Sequence, residues 1–176
     1  MSDQQHESQP ITTYDDLIRK WFSRSKEEKD IFTQFIFLYI SFTAFLTHKN
    51  PDKNDRCTIN ILKRNEEAKK YYTSFIQKNA VLNATIKRLI SELKDNAIIN
   101  VTRPNDPHWD APNGEIKSEA DWRNIVEYWY RVRNNLFHGH KAPDIERDSV
   151  MVEYAYLTLS PLMENFIAHD LQWKFD

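Results

Sequence analysis

Scarcity of glycine leaves this chain with few choices of fold. Only two glycines, Gly114 and Gly139, occur among its 176 residues. A sheet needs frequent tight turns, and phosphate-binding loops of the dinucleotide and P-loop kinds are built on closely spaced glycines. Long runs without turn signals and an aromatic content of 13% point the same way. The sequence therefore predicts an all-α protein and excludes most nucleotide-dependent enzymes.

Length and composition indicate one domain. With 40% hydrophobic and 28% charged residues, the chain is long enough for one core and too short for two ordinary domains. We expect a disordered polar tail over residues 1–12 and a single helical domain over residues 13–176. The tail lacks the basic and apolar regions of a signal peptide, and the lone Cys57 can form no internal disulfide, which favours a cytoplasmic protein. The net charge of −2 leaves only a local basic patch for a nucleic acid.

The spacing of apolar residues predicts a compact bundle of about five to six helices. Ser25 and Glu28 form a capping-box pattern that opens the second helix, and Pro161 predicts a kink in the last one. Residues 96–117 hold three prolines and a glycine, which predicts one long irregular loop before the fifth helix. The charged run 63–70 is expected to form a solvated face of the third helix. The expected helices cover residues 13–23, 31–46, 56–77, 80–94, 118–138 and about 145–170.

The segment 31–46 is apolar almost all round, which is typical of a helix buried on most sides. A membrane span is the rival interpretation. The segment holds 16 residues and is interrupted by Thr33, Gln34 and Ser41, whereas a span needs about 20 apolar residues. We therefore expect a core helix and no membrane partner.

The helix expected over residues 118–138 combines an apolar face with polar residues near its end. At about 100° per residue, one sector holds the large apolar side chains and must face the core. Asn134 and His138 lie on the opposite side, beside Glu127 and Tyr130. Their i, i+4 spacing places the amide where it can bond the imidazole. The apolar sector contains Trp122, Ile125, Val126, Trp129, Val132 and Leu136.

Arg133 lies on the edge of that apolar sector, about 140° from His138 on an ideal helix. One straight helix therefore cannot easily aim both side chains at one phosphate. Two arrangements stay open: the helix unwinds at residues 137–139, or a second subunit brings its own copy across a twofold axis. The alternative without a function is that Arg133 is a cation favoured by the helix dipole. Asn134 and Asn135 then belong to a frayed end, and the histidine is exposed beside the C-cap glycine.

Other residue sets of a chemically useful kind give weaker signals. His138 with His140, or Asp106 with His108 and Asp110, are metal-ligating types. A metal site needs three or four converging ligands, and nothing in the spacing indicates convergence. The GxSxG elbow of serine hydrolases does not occur in the sequence. We therefore expect neither a metal nor another cofactor.

The ten residues 130–139, YRVRNNLFHG, resemble the signature of the HEPN-domain family (higher eukaryotes and prokaryotes nucleotide-binding). In the family motif, four to six residues separate an arginine from a following histidine, and these two correspond here to Arg133 and His138. A polar residue directly after the arginine, here Asn134, is found in many members. The aromatic-rich helix near residues 32–46 and the final helix are also similar to those of the family. The resemblance spans the chain from about residue 30 onward.

This resemblance implies a homodimer of helical bundles whose motifs pair at the interface. Many members of the family are metal-independent endoribonucleases in toxin or anti-phage defence systems, so the resemblance also implies this activity. In such cleavage the RNA 2′-hydroxyl attacks the adjacent phosphorus and leaves a 2′,3′-cyclic phosphate. Arg133 and His138 are then the catalytic residues, and Asn134 orients the site. RNA is the expected substrate, and an antitoxin or another defence-system component is the expected partner.

Further residues around the motif are candidates for substrate contacts. Lys141 and Arg131 are expected to contact backbone phosphates. Tyr130 contacts RNA or fills the dimer interface, and Trp109 stacks on a base or anchors its loop to the core. Members controlled by a nucleotidyltransferase antitoxin commonly carry a tyrosine at the position of His140, so the resemblance does not extend to that modification. The alternative function is a non-catalytic HEPN-like dimer that binds RNA, a nucleotide or a protein.

Overall fold

The computed structural model describes residues 13–95, 98, 115–138 and 145–169, and in these ranges it contains seven α-helices and no strand. The all-α prediction is confirmed, but there are seven helices rather than five or six. The expected tail and most of the expected loop before the motif helix lie outside the described residues. The helices are α1 (Tyr14–Glu27), α2 (Ile31–Lys49), α3 (Asp55–Arg64), α4 (Glu66–Lys78), α5 (Ala80–Asp95), α6 (Trp122–Phe137) and α7 (Glu146–Ala168).

The additional helix arises because the segment predicted as one helix over 56–77 is divided at Asn65. The side-chain oxygen of Asn65 accepts a hydrogen bond of 2.7 Å from the backbone N–H of Ala68, which caps the start of α4. Asparagine is a favoured N-cap, so the break satisfies a donor that a new helix would otherwise leave unpaired. The charged run 63–70 is therefore not one solvated face. Its first residue, Lys63, is buried.

The junction between α1 and α2 also differs from the prediction. Ser25 does not cap α2, because it is buried within α1 and its hydroxyl donates to the carbonyl of Phe22 at 2.7 Å. Asp30 caps α2 instead, and its carboxylate accepts from the backbone N–H of Thr33 at 2.8 Å. Helix α1 consequently extends four residues beyond its predicted end at residue 23, to Glu27.

Helix α2 packs mainly against α1 and α7 and supplies much of the core. Its Phe35, Leu38 and Phe45 side chains are fully buried. Among the helices of the described ranges, α2 alone is long and apolar enough to cross a membrane, and the core helix of a folded domain meets the same criteria.

Helix α6 is buried around most of its circumference, because α3 covers one side and α7 another. The indole nitrogen of Trp122 donates to the carbonyl of Leu62 in α3 at 2.9 Å. On the other side, the indole nitrogen of Trp129 donates to Thr158 of α7 at 2.8 Å. The predicted apolar sector does face the core. The expectation that Glu127 faces away from it is wrong, since α3 supplies partners that bury this carboxylate completely.

The C-terminal turn of α6 is where this central helix reaches solvent. Phe137 and His138 are both exposed, whereas most of the preceding residues of α6 are buried. Helix α7 then passes across the bundle with Pro161 inside it. The fold therefore presents the predicted motif at an exposed end of its most enclosed helix.

Candidate functional site

Arg133 lies in the last turns of α6, where an ion pair and a hydrogen bond hold its guanidinium. Its Nη2 atom is 3.0 Å from Oδ2 of Asp55, the first residue of α3. Its Nη1 atom donates to the side-chain oxygen of Asn134 at 2.9 Å. The Arg133 side chain retains 27% of its exposure, so a ligand can still reach it.

Two aromatic rings flank the same guanidinium. Its central carbon lies 4.9 Å from the ring centroid of Phe137 and 5.6 Å from that of Tyr39. A cation is attracted to the face of an aromatic ring at such distances, and the attraction strengthens where water is excluded. The Nε atom of Arg133 is buried and has no hydrogen-bond partner within the described part of the chain. The terminal Nη atoms are therefore the groups that a ligand would meet.

Tyr39 supplies an uncharged hydroxyl to this region. Burial raises the pKa of Tyr39 well above its ordinary value, and the nearby positive charge of Arg133 offsets only part of that increase. The phenol therefore stays protonated at neutral pH and keeps its hydrogen-bond donor. Tyr39 carries no functional signal in the sequence, because it looks like one more aromatic residue of a core helix.

His138 is the C-cap of α6, and its imidazole is exposed. Its backbone N–H still donates to the carbonyl of Asn134 at 3.0 Å, so the helical path continues to this residue. Gly139 lies outside the described residues. Helical geometry keeps the Arg133 and His138 side chains about 140° apart around the helix axis. The backbone is thus helical as far as His138, and both arrangements, unwinding at the end of the helix and a second subunit, stay open.

The Asn134 amide has a different partner from the one expected. Its oxygen accepts a hydrogen bond from Arg133 rather than serving the His138 imidazole. Asn134 and Asn135 are both buried, so the interpretation of these residues as a frayed helix end is wrong. Of the two candidate catalytic residues, Asn134 therefore contacts Arg133 through its amide oxygen.

A buried charge cluster lies beneath the motif and is centred on Glu127, which is 0% exposed. Its Oε2 atom is 2.9 Å from Nη1 of Arg56 and 3.3 Å from Nζ of Lys63. Its Oε1 atom is 3.1 Å from Nε of Arg131. A fully buried carboxylate is tolerated only when it is paired and hydrogen-bonded, and here two helices provide the cations.

The position of Arg131 corrects an expectation. Its side chain is buried and its Nε atom binds Glu127, so it does not lie on the surface as the predicted contact to an RNA phosphate requires. That expectation rested on the position of Arg131 beside the motif in the chain, which does not reveal that α3 packs against α6.

Helix α3 holds α6 at two points through adjacent residues of opposite charge. Asp55 pairs with Arg133, and Arg56 pairs with Glu127. The position of the motif arginine is therefore tied to the buried charge cluster. An aspartate in the first turn of a helix is common because it complements the helix dipole, so the sequence alone carries no signal of this second role.

The remaining predicted site residues are placed as follows. Tyr130 is half-buried, and the guanidinium carbon of Arg56 lies 4.6 Å from its ring centroid. Lys141 and Trp109 lie outside the described residues, as do His140 and the Asp106, His108 and Asp110 set. Within the ranges that the structure describes, no three His, Cys, Asp or Glu side chains are grouped as they would be around a metal ion.

An open groove of about 340 Å³ runs between α1 and α2 and ends at the motif. Its walls are largely apolar, and its lining includes Arg133 and Phe137 from α6. The groove has no signal in the sequence, because it depends on how three helices pack and apolar spacing does not specify that packing. The other lining residues are Tyr14, Leu17 and Trp21 of α1 and Tyr39, Ile40, Thr43, Ala44 and Thr47 of α2.

No family model, curated protein or solved structure matches the chain. The resemblance of residues 130–139 to the HEPN signature therefore rests on the motif itself. The function has to be inferred from the chemistry of the site.

Proposed function

We propose that the protein is a metal-independent endoribonuclease of the toxin or anti-phage defence type, with a HEPN-like site formed by two subunits. One observation carries this proposal. The most enclosed helix of the bundle ends in a partly exposed cation, Arg133, and an exposed imidazole, His138. RNA is the proposed substrate, the cytoplasm the proposed location, and an antitoxin or other defence component the proposed partner.

The chemistry of RNA cleavage by internal attack fits these groups. The 2′-oxygen forms a bond to the adjacent phosphorus while the bond from phosphorus to the 5′-oxygen breaks, leaving a 2′,3′-cyclic phosphate and a 5′-hydroxyl. One group must accept the proton of the 2′-hydroxyl and another must give a proton to the 5′-oxygen. Histidine can do either near neutral pH, so the His138 residues of two subunits would divide the two roles.

Arg133 would stabilise the negative charge that develops on the phosphate oxygens. A guanidinium offers several N–H donors in a fixed plane, which suits phosphate oxygens. The hydrogen bond from Arg133 to Asn134 restricts the rotation of that plane. Asn134 is thus a positioning residue in this proposal.

The ion pair between Asp55 and Arg133 is compatible with such a role. Its side chains are 39% and 27% exposed. Ion pairs between exposed groups contribute about 1 kcal/mol or less to stability, so a phosphate can compete for the guanidinium. Asp55 therefore orients Arg133 without blocking a ligand.

Helical geometry supports a second subunit in this proposal. About 140° separates the two side chains around α6, and a twofold axis at the end of this helix would bring Arg133 of one subunit towards His138 of the other. A strictly monomeric protein with full nuclease activity would contradict this part of the proposal.

A non-catalytic binding module is the second candidate. The ion pair of Arg133 with Asp55 and its bond to Asn134 favour it, because both give the motif arginine a structural role. In that case the same dimeric surface binds RNA, a nucleotide or a protein, and no bond is broken.

To decide between the ribonuclease and the binding module, the purified protein is incubated with end-labelled cellular RNA in EDTA. The new 3′ ends of the RNA are then analysed. His169→Ala is a matched control for His138→Ala, because His169 is also an exposed C-cap whose backbone N–H donates to a helix carbonyl, at 3.1 Å. We expect cyclic-phosphate ends from the wild type and His169→Ala, and none from His138→Ala. Binding of RNA without cleavage by any of the three would favour the binding module.

A further inference from the structure

We propose that the groove between α1 and α2 is a nucleobase subsite, which holds the base of the nucleotide beside the phosphate bound by Arg133. This inference rests on the proposed ribonuclease function and deepens it, because it specifies how the site would grip RNA. The groove is continuous with the motif, since Arg133 and Phe137 line its end and His138 follows directly in the chain.

The groove has the composition of a small-molecule site. Its walls are largely apolar, and the side chains of Tyr39 and Arg133 line it next to each other, with the guanidinium carbon 5.6 Å from the ring centroid. Ligand sites characteristically combine apolar walls with a few convergent polar groups, and a volume of about 340 Å³ lies within their usual range. Tyr39 is only 3% exposed, so most of its ring is packed in the core.

Aromatic side chains provide surfaces on which a planar base can stack. Phe137 is 57% exposed and Tyr14 is also exposed, so both retain open surface beside the groove. Trp21 lines the groove as well and is braced by Phe37, with ring centroids 5.3 Å apart. Proteins that bind single-stranded nucleic acids stack successive bases on such side chains without needing a particular base.

The positive charge of Arg133 favours a nucleotide over other ligands that could occupy an apolar groove. Arg133 is the one charged side chain among the described residues that line it, and it lies at the end next to the motif. The matching ligand is therefore planar and weakly polar at one end and anionic at the other. A base attached to a ribose phosphate has this distribution, whereas an apolar peptide segment supplies no anion beside its buried side chain.

The test fills the groove without changing the polar groups at its end. Ala44→Phe adds a ring to the α2 wall, and Thr47→Phe is a second variant of the same kind in case the first folds poorly. Val81→Phe is the control, because Val81 is 78% exposed on α5 and is not part of the groove. Thermal unfolding establishes that each variant is folded. Each is then assayed on an RNA oligonucleotide with one cleaved bond and on the same oligonucleotide made abasic on either side of that bond.

We expect Ala44→Phe to lower kcat/KM on the intact RNA by about tenfold, as the loss of one stacked base should. On one of the two abasic substrates, kcat/KM of the wild type should fall by the same factor relative to the intact RNA. The kcat/KM of Ala44→Phe should not fall further on that substrate. Val81→Phe should match the wild type on every substrate. Equal cleavage by the wild type and both groove variants would overturn the subsite and leave the ribonuclease function intact.

Failure of the ribonuclease function itself gives a different result. If the wild type cleaves nothing, calorimetric titration with adenosine 3′-monophosphate still tests the groove. Binding that Ala44→Phe abolishes and Val81→Phe retains would support the subsite, and no binding to the wild type would overturn it. Conversion of a dimer to a monomer by Ala44→Phe, seen by analytical ultracentrifugation, would also overturn it, because the groove would then be occupied by a second copy.

Discussion

The carboxylate of Asp55 lies 3.0 Å from Nη2 of Arg133, so the first residue of α3 sets the direction of the motif cation on α6. Both side chains are partly exposed, and the contribution of the pair to stability is correspondingly small, about 1 kcal/mol or less. Its importance would lie in the placement of Arg133 during catalysis, where a displacement of about 1 Å can lower a rate by about a hundredfold.

Replacing Asp55 with asparagine should therefore change catalysis more than stability. We expect kcat to fall by about tenfold or more because Arg133 is less well placed, and KM to stay level or fall because a negative charge near the phosphate is removed. Steady-state cleavage of a short RNA measures both constants. Asp52→Asn is the control, since Asp52 is an exposed residue just before α3. A loss in Tm with kcat unchanged would mean that Asp55 is structural only.

Removing the buried carboxylate of Glu127 should, in contrast, have a large effect on stability. Glu127→Ala leaves the cations of Arg56, Lys63 and Arg131 without their shared partner, and breaking a buried ion pair costs about 3–5 kcal/mol. Urea unfolding measures the change in the free energy of unfolding. The exposed Glu153 on α7 is a control whose change to alanine should stay within about 0.5 kcal/mol. A similar, small effect at both positions would show that the cluster contributes little to stability.

One residue in the middle of α6 and one at its C-cap should separate folding from cleavage. Trp129 is fully buried, packs edge-on against Phe42 with ring centroids 6.0 Å apart and donates to Thr158. Trp129→Ala should cost about 3–5 kcal/mol of unfolding free energy because it empties part of the core. His138→Ala should change stability by less than about 0.5 kcal/mol and abolish cleavage. Thermal melts that ranked the two variants the other way would contradict the orientation of α6.

The cap of α1 predicts a dependence of stability on acid pH. The hydroxyl and backbone N–H of Thr13 both donate to the Asp16 carboxylate, and these bonds lower its pKa below the ordinary value of 3.8. A carboxyl group with a lowered pKa in the folded state stabilises the fold above its unfolded pKa, and this contribution is lost as pH falls through the folded pKa.

Asp16→Asn should thus be less stable than the wild type near neutral pH, and the difference should shrink below about pH 4. Thermal unfolding from neutral to strongly acidic pH measures it. Thr13→Ala removes the hydroxyl that lowers the pKa most, so it should reduce the pH dependence while keeping the carboxylate. A difference between Asp16→Asn and the wild type that is independent of pH would exclude this cap as its source.

Local signals in the sequence were sufficient for the helical class and for the helix that carries the motif. The apolar sector predicted the position of α6, although the helix begins at Trp122 rather than at residue 118, and the structure places its end one residue before His138. These features depend on residues close together in the chain, for which helical periodicity and capping preferences are informative.

Long-range pairing explains most of what the sequence did not predict. Arg56 and Glu127 are 71 residues apart, and nothing in the local pattern of either helix indicates that they meet. Periodicity assigns a polar residue to solvent, but α6 is covered by a neighbour on its polar side as well. The break at Asn65 was missed because the charged run around it favours a helix, whereas the side chain satisfies a new helix start.

The attachment of α3 to α6 also bears on how this chain can change during evolution. Three basic side chains share one acidic partner, so a single loss among Arg56, Lys63 and Arg131 leaves Glu127 with two cations, whereas loss of Glu127 removes an ion pair from all three. Substitutions should therefore be tolerated at each basic position in turn, whereas substitutions of Glu127 should be selected against. Among divergent descendants, position 127 should stay fixed while the identity of its basic neighbours varies.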